Sequence, residues 1–181
     1  IVYALIYYYA FTINTSHLLW YEHFGLVLNV GLILGTSGIN VAHELGHRKE
    51  KIHHWMSWAL LLPSHYLHFF IEHNKGHHRY IATLDDPATA RKGEPIYAFW
   101  LRSVKDSYWQ AWSIEKDRLR LQHKKVWSAD NLMILFLLST LAYLGFFIFV
   151  FNLYVAVMIA LVGIIGLLFL ESVNYIEHYG L

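Results

Sequence analysis

Residues 131–170 read NLMILFLLSTLAYLGFFIFVFNLYVAVMIALVGIIGLLFL, a run without a charged side chain. Crossing the roughly 30 Å hydrocarbon core of a bilayer takes about 20 mainly apolar residues. The run therefore divides at Asn152 into two spans, 131–151 and 153–170 (the second helix taken to about 172), joined as a tight hairpin. Backbone polar groups in lipid must bond within their own segment, so these spans are helices. Upstream, residues 24–42 form another span and 1–13 the tail of a further helix. Gly31-x-x-x-Gly35, followed by Gly38, gives the 24–42 helix a small-residue face suited to close helix packing. The expected fold is all-α, a multi-spanning transmembrane helix bundle with a helical cytoplasmic loop, within a single membrane domain.

Composition agrees. Of 181 residues, 56% are hydrophobic, above the 45–50% or so of ordinary soluble domains. Charge is segregated: all 14 Lys and Arg lie between Arg48 and Lys125. Residues 75–125 carry 11 basic against 6 acidic side chains, a balance of +5. Clustered cations mark the cytoplasmic side, so the middle of the chain belongs there and the hairpin tip faces away. The chain opens on Ile1 and closes on a histidine-bearing run, which gives the expectation of an internal piece of a longer protein.

Segment 55–71 is apolar but only 17 residues long, and Pro63, Ser64, His65 and His68 interrupt it. Cations flank it on both ends, so a straight crossing would leave one flank on the wrong side. It is expected to be re-entrant or interfacial. Residues 73–130 mix charge with Tyr97, Phe99, Trp100, Tyr108, Trp109 and Trp112, the pattern of a folded loop rather than a disordered linker.

The sequence has 13 histidines and no cysteine. Thiolate zinc sites, iron–sulfur clusters and disulfides are excluded, and any metal must be held by nitrogen or oxygen. Three clusters stand out: His43-Glu44-Leu45-Gly46-His47, Glu72-His73-Asn74-Lys75-Gly76-His77-His78, and Asn174-Tyr175-Ile176-Glu177-His178-Tyr179-Gly180. Residues four apart share a helix face, which lets His43 with His47, and His73 with His77, address one ion. Glu44, Glu72, Asp85, Asp86 and Glu177 are candidates to orient those imidazoles from outside. His17, His23, His53, His54 and His65 read as isolated interface side chains, and His68 as a supporting residue. Imidazole accepts Zn, Cu, Fe or Ni, so ligand type alone does not choose the metal. The first cluster also fits H-E-x-x-H, in which Glu44 would be a zinc protease's base.

These runs, with His43-Glu44-Leu45-Gly46-His47-Arg48, Ala82-Thr83-Leu84-Asp85-Asp86-Pro87-Ala88-Thr89-Ala90-Arg91, Gly93-Glu94, Tyr97-Ala98-Phe99 and Val126-Trp127-Ser128-Ala129-Asp130-Asn131, resemble the bacterial integral-membrane alkane monooxygenases. Arg48, Leu84 and Pro95 depart from that family's usual residues, away from any candidate ligand. The resemblance implies a non-haem centre of two iron ions held by His43, His47, His73, His77, His78 and His178, with O2 as co-substrate. It also implies hydroxylation of the terminal carbon of medium-chain alkanes, using electrons from NADH through rubredoxin reductase and rubredoxin, in the bacterial inner membrane with the metal at the cytoplasmic face. The family's last histidine box would lie beyond Leu181, so residues 1–181 alone are expected to be inactive. The partners are then a lipid bilayer, an alkane and rubredoxin, and no nucleic acid. The rival readings are a sister hydroxylase of aromatic methyl groups, a lipid desaturase, an intramembrane zinc protease and a metal transporter.

Overall fold

The computed structural model describes residues 1–180. Seven helices follow one another, and the described residues contain no strand. They are α1 (Val2–Thr15), α2 (Trp20–Gly46), α3 (Lys51–Leu61), α4 (residues 69–80), α5 (Ile96–Leu121), α6 (Leu132–Val150) and α7 (Leu153–Glu177). Of these, α2, α6 and α7 are long and apolar enough to cross a membrane.

Helix α2 is longer at both ends than the expected 24–42. At its start the Glu22 carboxylate accepts the Leu19 N–H at 2.7 Å, satisfying a donor that the first turn leaves orphaned. Residues that look too polar for lipid thus close the helix instead of preceding it. Its end at Gly46 includes most of the first histidine cluster. Within α2, Leu34–Ile39 form a π-turn. The run Gly35-Thr36-Ser37-Gly38 there is poor in helix formers, and the Thr36 hydroxyl donates to the Leu32 carbonyl at 2.8 Å.

The chain divides into two compact units, Ile1–Tyr66 with Ser139–Phe169, and Leu67–Leu138 with Leu170–Leu181. The first has an apolar core: Ile6, Tyr9, Ala10 and Ile13 of α1, Val27, Val30 and Leu34 of α2, Tyr143 and Phe147 of α6, and Val155, Ala156, Ile159 and Val162 of α7. Lipid tails are as apolar as these side chains, so packing rather than water exclusion must select the helix pairs. The glycines show how. A Cβ on Gly31 would lie 2.6 Å from the Ile165 side chain, and one on Gly35 would lie 3.0 Å from the Gly166 carbonyl. The most constrained position is Gly163 of α7, where a Cβ would stand 2.5 Å from the Pro63 carbonyl.

Pro63 belongs to a 3-10 turn, Leu62–Ser64, and His65 after it takes φ +57°. That is left-handed backbone a non-glycine residue seldom adopts, and it ends the 3-10 turn that follows α3. By contrast, α6 turns much of its surface outward, with Leu138 58% and Phe149 91% exposed. Such a face suits hydrocarbon, not water.

The second unit is held by polar contacts. Helix α5 buries Phe99, Ser103, Ser107, Ala111, Glu115 and Leu119, one residue every four, a single ridge of the helix. Ser103 Oγ donates to Glu171 Oε2 at 2.6 Å. Glu115, 1% exposed, receives both Arg118 Nε and Nη2, at 2.7 and 2.6 Å. It also accepts the Leu132 N–H at 2.7 Å, which caps the first turn of α6.

Candidate metal centre

In the first unit, His43 and His47 sit at the end of α2, with Nε2 atoms 3.0 Å apart and rings nearly perpendicular. Two imidazoles on one ion, bonded at about 2.1 Å and at angles of about 90–110°, would separate their nitrogens by about 3.0–3.4 Å. The pair fits, and the same spacing also suits one N–H···N bond. Glu44 is exposed, with Oε1 3.4 Å from His43 Nδ1.

In the second unit the local backbone decides the pairing. His73–His77 is a π-turn, whose i→i+5 bonding brings residues five apart onto one face. His73 Nε2 accordingly meets His78 Nε2 at 3.2 Å, whereas an ordinary α-turn would have matched it to His77. The His77 ring stacks beside His73 with centroids 5.1 Å apart. It lies 5.0 Å from the ring of His178, which follows the last turn of α7. The unit therefore gathers His73, His77, His78 and His178 from two elements.

His77 is 5% exposed and Asp86 1%. Asp86 Oδ1 and Oδ2 lie 3.1 and 3.0 Å from His77 Nδ1. Burial alone would raise the Asp86 pKa, but hydrogen bonds from His77, Thr89 and the Ala88 N–H outweigh it and hold the carboxyl below its usual range. A carboxylate can only accept, so Nδ1 donates the proton of that bond, and Nε2 is the nitrogen left to face a metal. This is how a metal-binding imidazole is held in one tautomer and one orientation.

Glu72 is 2% exposed. Burial, and then the charges of Asp86 and Glu171, push its pKa up to about 8, so at neutral pH it holds a proton. Its Oε1 has no hydrogen-bond partner among the described residues. Burial, followed by the neighbouring His77, pushes the His178 pKa down, which favours the neutral imidazole that a metal needs.

Asp85 and Glu177 are exposed; Asp85 engages through its main chain, its N–H donating to Thr83 Oγ1 at 3.3 Å and its carbonyl accepting from Gln110 at 3.0 Å. Outside the clusters, the His53 ring meets Glu50 at 2.9 Å, and His54 donates to the Arg48 carbonyl at 2.7 Å. His68 is buried, with its ring edge-on to Tyr108. Sequence reasoning gave no role to Arg102, or to Glu94, Thr89 and Tyr175 within the runs it quoted; together they frame the loop carrying Asp86. In the sequence Arg102 is one cation among many, and its one clue is Glu94 eight positions before it.

In the second unit His73, His77, His78 and His178, with a buried carboxylate on His77 and no sulfur donor in the sequence, make a nitrogen-rich set of the ligand type that suits a metal ion. Residues 19–181 match the family model described as fatty acid desaturase. The alkane 1-monooxygenase of Ectopseudomonas oleovorans is 40% identical over 172 residues, covering 95% of this chain and 43% of that protein. The alkane 1-monooxygenase 1 of Alcanivorax borkumensis is 43% identical over 176 residues, covering 95% and 42%. The hydroxylase component of the Pseudomonas putida xylene/toluene monooxygenase is 30% identical over 166 residues, covering 87% and 42%. The chain thus spans about two fifths of the length of the curated relatives it matches.

Proposed function

Since the chain belongs to the fatty acid desaturase family, we propose that it forms part of an alkane 1-monooxygenase. In this reading His43, His47, His73, His77, His78 and His178 are ligands of two iron ions. The reaction inserts one atom of O2 into a terminal C–H bond of a medium-chain alkane, the other atom leaving as water. Electrons come from NADH through rubredoxin reductase and rubredoxin. The observation that carries the reading is the His73, His77, His78 and His178 cluster, with Asp86 on His77, in a chain 40–43% identical to relatives of that name.

Iron, when bound, supplies the activation of O2. The chain's own residues bind and orient. Asp86 holds His77 through Nδ1 and leaves Nε2 to face the metal, and burial, which lowers the His178 pKa, favours that residue's neutral ring. The apolar helices offer an alkane a solvent like itself, and the +5 cytoplasmic segment attracts a small acidic electron carrier. An aromatic methyl group is the second candidate substrate, favoured by the likeness to the xylene/toluene enzyme. The higher identity to the alkane enzymes puts alkanes first.

The membrane reading follows the same charges: the bacterial inner membrane, with the histidine boxes at the cytoplasmic face. Segment 55–71 is re-entrant. Its turn packs on Gly163, about 15 Å along α7 from Leu153 at a rise of about 1.5 Å per residue, which is half the depth of the hydrocarbon core.

Metal analysis of the full-length protein, with product analysis on medium-chain alkanes, tests the proposal. Two irons per chain and a terminal alcohol are expected. Zinc in place of iron, or no oxygenated product, would overturn it.

A further inference from the structure

The Arg102 guanidinium spends all its directions on one loop. Nε and Nη2 donate to Glu94 Oε1 and Oε2, each at 2.7 Å. Nη1 donates to the Pro87 carbonyl at 3.1 Å, and Nη2 also to the Thr89 carbonyl at 3.0 Å. The pair is largely buried, with side chains 17% and 12% exposed. Pro87 to Thr89 is the turn that shapes Asp86, whose carboxylate accepts from the Ala88 N–H at 3.1 Å and from Thr89 Oγ1 at 2.5 Å. The other end of the loop holds the end of α7. Tyr175 donates to the Glu94 carbonyl at 2.6 Å, the Gly93 N–H donates to Tyr179 Oη at 3.0 Å, and the Gly180 N–H to the Ala90 carbonyl at 3.0 Å. Tyr175, Tyr179 and Gly180 bracket His178.

We propose that Arg102 is a positioning residue that sets two imidazoles at once, His77 through Asp86 and His178 through the Glu94 end of the loop. The inference rests on the iron-site reading above. A lysine in its place would keep the charge but lose the planar fork that reaches a carboxylate and two carbonyls together.

The test uses full-length protein in detergent, comparing Arg102→Lys and Arg102→Gln with Arg118→Gln. The last breaks another Arg–Glu pair of α5 that touches no histidine. Helix content, iron affinity and the Mössbauer spectrum of the loaded protein are measured. Both Arg102 variants should keep their helix content, bind iron about 10–100-fold more weakly and show an altered spectrum, while Arg118→Gln keeps wild-type iron affinity and spectrum. If Arg102→Gln does not accumulate, Arg102→Lys carries the comparison. Wild-type affinity and spectrum in Arg102→Lys would overturn the inference. So would parallel iron loss in all three variants, or failure of both Arg102 variants to fold, since either makes the role structural alone. A wild-type protein that binds no iron instead overturns the reading beneath it.

Discussion

The two units solve the same problem, holding histidines still, by opposite means. The His43–His47 pair ends a helix whose own unit is packed from apolar side chains and glycine contacts. The carboxylate beside it is 70% exposed, and the spacing of four does the work through ordinary helix geometry. The second cluster lies on a π-turn, and one of its rings is pinned by a buried carboxylate. Around it ion pairs and hydrogen bonds run among buried apolar side chains such as Phe99 and Leu119. Similar-looking boxes therefore depend on different physics: packing volume in one unit, paired polar groups in the other.

The largest test of that contrast is Glu115→Ala. It strands Arg118 and uncaps the start of α6, and breaking a buried pair costs about 3–5 kcal/mol. The thermal unfolding midpoint of the full-length protein should fall sharply; an unchanged midpoint would mean that polar pairs do not hold the second unit. Next comes Asp86→Ala, expected to weaken iron binding by about 10–100-fold in a metal titration, because His77 loses its anchor. Gly163→Val then probes the packed unit. Its side chain meets the Pro63 backbone, and overpacking costs about 1–3 kcal/mol, read from the same unfolding midpoint. Smallest is Glu44→Ala: exposed surface changes stay within about 0.5 kcal/mol, and iron affinity should hold within about twofold. A large loss of iron there would erase the distinction between the boxes.

The sequence carried the spans well, because an uncharged run and segregated cations are local facts that lipid and loop environments enforce. It placed helix ends poorly where polar residues join the helix, as Glu22 does in capping Leu19. Helix α3 starts at Lys51, before the expected 55, because Lys51 and the histidines after it form its first turn. The spacing of His73 and His77 invited an α-turn reading, yet the ring nitrogens in contact belong to His73 and His78. A π-turn leaves no compositional mark comparable to a hydrophobic stripe. Asp86 was one of five candidate carboxylates, whereas Arg102 was not a candidate, since its value lies in four bonds that exist only after the loop has folded around it.

The turn at Leu62–His65 is seated on a glycine of a long helix, not on lipid. In the re-entrant reading proposed above, its depth is set by protein and not by membrane thickness. A thicker or thinner bilayer is met by tilting of the spans, and whatever angle α7 takes, the turn packed on Gly163 goes with it. The outward face of α6, clad in leucine and phenylalanine, feels such a change directly. The elbow beneath α3 is insulated from it.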